Sequence, residues 1–277
     1  MSIFAAEKVI LEKESLYHHI VVTQNAGLRY MKFGNSIVQS AVYIDDPVSL
    51  QVEYTKYLPL ALLFKPNSLS LLTIGLGGGA VPRIIKEYLP EIQIEAVEID
   101  PAVVEIAKKY FFLEQYPAYN IAVMDGRVYL MRSKKKFDII LLDAYNADSI
   151  PFHLTTIEFL LLVKSRLNSG GVVASNLWCS EPHLFQAMLK TFQQAFPYVY
   201  RFKVFGKNNV IIIACGQKLG RFDIVQRAAD FQLRVGFPYD YVFCADQLDL
   251  SSIDLKSAKL LTDDYAPVDW LKHLKDK

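Results

Sequence analysis

Four short segments of the chain carry residues whose types and spacing could do chemistry. Gly75-Leu76-Gly77-Gly78-Gly79-Ala80 joins an apolar run to a helical pattern. Glycines let a backbone pass close to a ligand, and a helix start offers unpaired N–H groups. The same pattern fits dinucleotide-binding domains, and it fits a tight strand-to-helix turn that binds nothing. Glu98 closes the next apolar run in Val97-Glu98-Ile99-Asp100, where an acid can accept from both hydroxyls of a ribose. Asp125, followed by Gly126, ends a third run. It is placed to accept from an adenine amino group, to cap the helical segment VYLMR, or to do both. A glycine turn, a ribose acid and an adenine-side acid on three successive strand ends form the layout expected for S-adenosylmethionine-type ligands. A nicotinamide dinucleotide would need room for a second nucleotide and a hydride-transfer residue, and no motif supplies either.

The fourth segment is Leu142-Asp143-Ala144-Tyr145-Asn146. In an open α/β sheet, ligands bind outside the carboxyl ends of the strands, so Asp143 should face the donor's reactive carbons. A sulfonium is already a good electrophile. An attacking amine, by contrast, is an ammonium at neutral pH and lacks a free lone pair. A carboxylate at this point can orient it, stabilise it and accept its proton. The plainer alternative for Asp143 is a structural cap.

These residues need elements to hold them. The segments VILEKE, YHHIVVTQN, LRYMKF and IVQSAVYI are short and rich in β-branched and aromatic residues. Turn formers separate them, so they read as strands. SLQVEYTKYLPLALLF then reads as a largely buried helix. A boundary near Pro66-Asn67 divides the chain into a β-rich unit at 1–66 and a catalytic unit at 67–277. In the second unit strands and helices alternate, which implies a parallel sheet covered on both faces. AVPRIIKEYL reads as a helix with Pro82 in its first turn, and PAVVEIAKKYF as one opened by Asp100-Pro101. TTIEFLLLVKSRL reads as a helix with a capping box of Thr155 and Glu158. YVYRFKVF and NVIIIAC read as an antiparallel pair joined by a tight turn. The fold class is therefore α/β: a doubly wound, Rossmann-like S-adenosylmethionine-dependent transferase fold with a small N-terminal β-strand domain.

Composition narrows the rest. Of 277 residues, 52% are hydrophobic and 21% charged, so a sizeable core is expected. The net charge of +1, with no basic half, argues against nucleic acid as a partner. Lys134-Lys135-Lys136 reads as a solvated turn. Three cysteines, Cys179, Cys215 and Cys244, form no CxxC and no cluster with His, so neither a disulfide framework nor a metal site is expected. The segment at 1–15 lacks the apolar core of a leader, and no apolar run approaches the ~20 residues needed to span a bilayer. A cytoplasmic protein with no membrane partner is expected.

A resemblance now becomes specific. The glycine loop GLGGG, VEID, DGR and DAYNADSIPFHLTT resemble the spermidine synthase family of polyamine aminopropyltransferases, and its divergent spermidine synthase-like branch above all. The likeness extends to Gln39 in IVQSA and to TDDYAP at 262–267. It implies assembly into homodimers or larger homo-oligomers. It also implies transfer of an aminopropyl group from decarboxylated S-adenosylmethionine to a small amine. On that likeness Gly75, Gly77, Gly78, Glu98, Asp125, Gly126 and Gln39 hold the donor, and Asp143 is the base. Tyr54, Tyr145, Asn146 and Asp148 face the acceptor.

The departures from the family pattern are equally specific. Gly78 stands where the family's loop carries an acid, Asn146 where it carries a second acid, and Gln51 where a helix motif carries Tyr, leaving Glu53. An ammonium taken out of water without a partner is costly, so a polyamine would need other acids, with Asp148, Glu181 and Asp264 available. The bare loop at Gly78 would also welcome the carboxylate of ordinary S-adenosylmethionine. Two other functions follow from these departures: a methyltransferase of a small molecule, and a catalytically silent nucleotide-binding or assembly module. His153 reads as a packing or capping residue or as a gate and proton acceptor, and of His18 and His19 one reads as a surface residue and the other, in either order, as half-buried. Trp178 reads as a core residue or a wall of the acceptor pocket. The segment Asp263-Asp264-Tyr265 folds over the pocket or caps the last helix.

Overall fold

The computed structural model describes residues 7–34, 37–115, 119–144, 151–178 and 181–265. Four strands, β1 (Lys8–Glu14), β2 (His19–Asn25), β3 (Leu28–Phe33) and β4 (Ile37–Tyr43), form an antiparallel sheet in sequence order. Asn25 pairs with Leu28, so Ala26-Gly27 is a two-residue hairpin loop, and both residues have positive φ. That is the turn whose twist matches the flanking strands.

The expected helix between the two sheets is broken into short pieces. Glu53–Lys56 and Leu58–Leu60 are 3-10 turns, and α1 (Ala61–Phe64) is a single α turn. Pro59 has no N–H to give to a carbonyl in the preceding turn, so a continuous helix cannot pass through it. Burial of the segment is as expected: every residue from Tyr57 to Phe64 is buried.

The second sheet has seven strands. β5 (Ser70–Ile74), β6 (Gln93–Glu98), β7 (Tyr119–Val123), β8 (Phe137–Leu142) and β9 (Leu167–Trp178) are parallel. β10 (Tyr198–Lys203) and β11 (Asn209–Cys215) add an antiparallel hairpin, giving the order β10-β11-β9-β8-β5-β6-β7. The helices are α2 (Ala80–Tyr88), α3 (Pro101–Tyr110), α4 (Gly126–Arg132), α5 (Ile157–Ser165), α6 (Pro182–Ala195), α7 (Arg221–Val235) and α8 (Tyr241–Asp246). Alternate strand residues feed two cores. Leu71, Leu141, Ala174 and Ile211 enter one, and Leu72, Ile140, Val173 and Ile212 the other. The chain runs outward from β5 to β7, then returns to β8 on the opposite side of β5. The carboxyl ends of β5 and β8 therefore meet at the point where strand order reverses, the usual place for a ligand crevice in such sheets.

The cap of α5 lies one residue later than the sequence suggests. Thr156 Oγ1 accepts from Phe159 N, whereas Thr155 Oγ1 donates to Phe152 O. Glu158 accepts from Asp263 N rather than closing a capping box. Among the described residues no helix is long and apolar enough to cross a membrane.

Candidate active site

One cavity of about 200 Å³ opens at the carboxyl ends of β5, β6 and β8, with β4 as its far wall. Gly75, Gly77, Glu98, Asp125, Gly126, Asp143, Gln39 and Tyr54 all line it. The glycine loop lets this wall form. Gly75 has φ +94°, and a Cβ there would lie 2.3 Å from the carbonyl oxygen of Asp143. At Gly126 a Cβ would lie 2.3 Å from Ile74 Cγ2, a side-chain rather than a backbone clash.

Gly78 is placed differently from the expectation. It is buried and absent from the cavity lining, and its N–H donates to Ser40 Oγ at 2.7 Å. The side of the loop where a side chain would project is filled by Phe111 and Ser40. That N–H is thus already used, and it does not offer the open anion site the bare loop suggested. Arg83, buried beneath the loop, donates to the carbonyls of Gly78 (3.1 Å), Phe111 (2.7 Å) and Pro47 (2.6 Å).

Glu98 is only 9% exposed. Its Oε2 accepts from Leu76 N at 3.0 Å and its Oε1 from Asp100 N at 3.1 Å. Burial pushes its carboxyl above the ordinary range, against the pull of those two bonds. Asp100 caps α3 through Ala102 N and also accepts from Ser15 Oγ at 2.5 Å. His18 Nδ1 lies 3.1 Å from the same carboxylate, and the His18 ring stacks on Phe33 at 3.9 Å. His18 and Phe33 both line the cavity, so the first sheet contributes directly to it. His19 is half-buried, paired with Glu12 and Glu14.

Asp125 serves two partners. Oδ1 accepts from Val128 N at 2.9 Å, capping α4, and Oδ2 lies 2.6 Å from His153 Nε2. The His153 bond is the main reason the Asp125 carboxyl sits below its usual range. His153 is itself held by the chain's last described segment. Arg127 donates to His153 O at 3.1 Å and to both oxygens of Asp263, and Thr156 also donates to Asp263. The segment Thr262–Tyr265 therefore fastens the loop around His153, although neither Asp264 nor Tyr265 lines the cavity.

Asp143 lies at the meeting of β5 and β8, its N–H given to Ile74 O at 2.9 Å. Tyr54 Oη donates to Oδ2 and Asn176 Nδ2 to Oδ1, each at 3.1 Å. Burial pushes the Asp143 carboxyl up to about 7, while the bonds from Asn176 and Tyr54 draw it down. A carboxyl titrating there can take and release a proton near neutral pH.

Among the described residues, Gln51, Glu53 and Glu181 do not line the cavity. Tyr145, Asn146 and Asp148 lie outside the described residues. Gln51 donates to Ser49, Glu53 pairs with Lys56 at 2.8 Å, and Glu181 is the N-cap residue of α6. Trp178, the last residue of β9, is 46% exposed and lines neither core nor cavity. Lys135 pairs with Glu95 at the surface, as a solvated turn would. Sequence reasoning missed Asn176, Asn209, Ser40 and Arg83. The available signal was polar side chains inside or beside apolar runs, with nothing local to say what they meet.

A family model described as "Spermine/spermidine synthase domain" matches residues 53–218. A polyamine aminopropyltransferase of Vibrio vulnificus is 34% identical over 278 residues, spanning 95% of this chain and 91% of that protein. A probable spermidine synthase from Corynebacterium glutamicum shares the fold at TM-score 0.72 and 17% identity, covering 96% of this chain and 99% of that one. Human methyltransferase-like protein 13, solved in complex with SAH, matches at TM-score 0.62 and 26% identity over 68% of this chain and 95% of that one. On the family match and the identity to the Vibrio relative, the chain is a transferase that belongs to the spermine/spermidine synthase family.

Proposed function

We propose that the chain transfers an aminopropyl group from decarboxylated S-adenosylmethionine to a small amine, with Asp143 as the base. The observation that carries this reading is one cavity shared by the glycine loop, Glu98, Asp125 and an Asp143 carboxyl titrating near 7. Glu98 holds the ribose hydroxyls and Asp125 the adenine amino group. A carboxylate oxygen has two lone pairs, so Asp125 can serve His153, the helix start and adenine together. Gln39, on β4, faces the nucleoside or thioether. Tyr54 and Asn176 hold the carboxylate of Asp143 toward the acceptor. The acceptor nitrogen attacks the propyl carbon bound to sulfur and the carbon–sulfur bond breaks. Its electron pair stays on sulfur, which leaves as the neutral thioether methylthioadenosine. The proton released from nitrogen passes to Asp143.

A second reading, methyl transfer from ordinary S-adenosylmethionine, is supported by the likeness to the human methyltransferase-like protein. Homodimer assembly rests on the family resemblance alone, and a cytoplasmic site on the cysteine usage. Product analysis with each donor and putrescine separates the readings. Methylthioadenosine is expected; S-adenosylhomocysteine in its place would establish methyl transfer. Neither product, with nucleotide still bound, would favour a silent binding module. Asp143→Asn is expected to cut turnover by about a hundredfold or more with donor affinity nearly intact in calorimetry. An unchanged rate would remove Asp143 from the chemistry.

A further inference from the structure

Three polar side chains end one face of the large sheet. β8 and β9 pair with Leu142 opposite Ser175, so Asp143, one residue on, comes beside Asn176. β9 and β11 pair with Ile211 opposite Asn176 and Asn209 opposite Trp178. Asn209 is therefore the diagonal neighbour of Asn176 on the same face, within reach of a side-chain bond. Below them on these three strands the face is apolar: Leu141, Ala174 and Ile211 belong to one core. Asn176 and Asn209 are 5% and 8% exposed, and a buried amide without partners is costly.

The bonds run in one direction. Asn209 Nδ2 donates to Asn176 Oδ1 at 2.9 Å, and Asn176 Nδ2 donates to Asp143 Oδ1 at 3.1 Å. The two ends of a carboxamide are nearly equal in size and opposite in polarity. Alone, Asn176 could turn over and set its oxygen against a carboxylate oxygen. The donor supplied by Asn209 favours the orientation that sets Asn176 Nδ2 on the carboxylate.

We infer that Asn209 and Asn176 are positioning residues forming a one-way amide relay from β11 through β9, which presents a hydrogen-bond donor to Oδ1 of the catalytic aspartate. Together with Tyr54 on Oδ2, the relay leaves the remaining lone pairs of Asp143 directed into the cavity. It also favours the ionised carboxylate, the form that accepts a proton. Tyr54 is the titratable group in contact with Asp143, and Tyr17, His18, Glu98, Asp125 and His153 share the cavity. The inference rests on the reading of Asp143 as the base.

Two near-isosteric variants and their combination test it: Asn176→Leu, Asn209→Leu and the double variant. Two readouts are taken on the full-length protein. One is the pH profile of methylthioadenosine formation. The other is the acid C=O stretch of Asp143 in infrared difference spectra, assigned by its loss in Asp143→Asn. Asn176→Leu is expected to raise the titration midpoint of Asp143 by about one pH unit, a tenfold loss of rate on the acidic limb. The donor KM should hold within about threefold. Asn209→Leu is expected to give part of that shift, and to add nothing in the Asn176→Leu background, because it acts through Asn176. Additive effects, or a midpoint unmoved by Asn209→Leu, would overturn the relay. If a Leu variant does not fold, the Ala variant at the same position leaves a cavity instead of a larger side chain and carries both readouts. Full activity in Asp143→Asn would sink the base assignment, while the infrared titration would still decide the relay.

Discussion

The ordinary value of an aspartate carboxyl is 3.8, and in the folded site burial holds the proton of Asp143 up to about 7. Between those values the native state binds more protons than the unfolded chain, so this residue makes stability fall as pH rises through the window. Denaturant melts at several pH values should show that slope in the native protein. In Asp143→Asn the slope should be flatter between about pH 4 and 7. On the proposed role of Asp143 as the base, activity runs the other way, because a base works only when ionised, so turnover should climb through the same region and level off above about pH 8. The raised Glu98 carboxyl contributes a stability slope of the same sign. Asp125 contributes the opposite one: lowered by His153, it stabilises above its unfolded value and loses that contribution as pH falls. Glu98→Ala is expected to weaken donor binding first and turnover second, as separate calorimetric and kinetic measurements would show.

The strand-to-helix turn from β5 into α2 is the element on which the cavity wall depends. Gly75 needs positive φ, and it packs against the backbone of Asp143 with no room for a Cβ. Gly75→Ala should therefore displace the carboxyl end of β8. A loss of about 2 kcal/mol or more in unfolding free energy is expected, with turnover falling further than stability explains. The N-cap of α5 offers a milder case. Thr156 accepts from the helix and donates to Asp263, so Thr156→Ala should cost about 1 kcal/mol. Thr155→Ala, outside the cap, should cost less in the same melts.

Across the whole molecule the small sheet is not an appendage. Its inner residues Ile20, Val22, Met31, Phe33 and Val42 share one core with Ala102, Val103, Ile106 and Phe111 on and after α3. Ser15 and His18 reach Asp100, and Lys13 pairs with Glu105 at 2.6 Å. Met31 is fully buried there. Met31→Ala is expected to cost about 3 kcal/mol and to lower the midpoint of a single unfolding transition seen by every probe. Two separate transitions would show that the sheets unfold independently. Because Phe33, Gln39 and Ser40 of this sheet line the cavity, loosening it should also weaken nucleotide binding.

By itself, the sequence determined what depends on near neighbours. Strand–helix alternation follows from apolar periodicity, the loop at Gly75 from glycine's freedom of φ, and Glu98, Asp125 and Asp143 from their places at the ends of apolar runs. The small sheet and the hairpin of β10 and β11 were legible in the same way. Tertiary structure decided what depends on register and distant contacts. Asn176 became a partner of Asp143 only through the pairing of β8 with β9, and Asn209 only through that of β9 with β11. His153 reached Asp125 because Arg127 and Asp263, far apart in the chain, hold its loop. Gly78 turned away from the cavity because Ser40 and Phe111, from two other elements, occupy its side. Local spacing fixes which way a side chain leaves its own strand or helix, whereas only the packed fold fixes what that side chain meets.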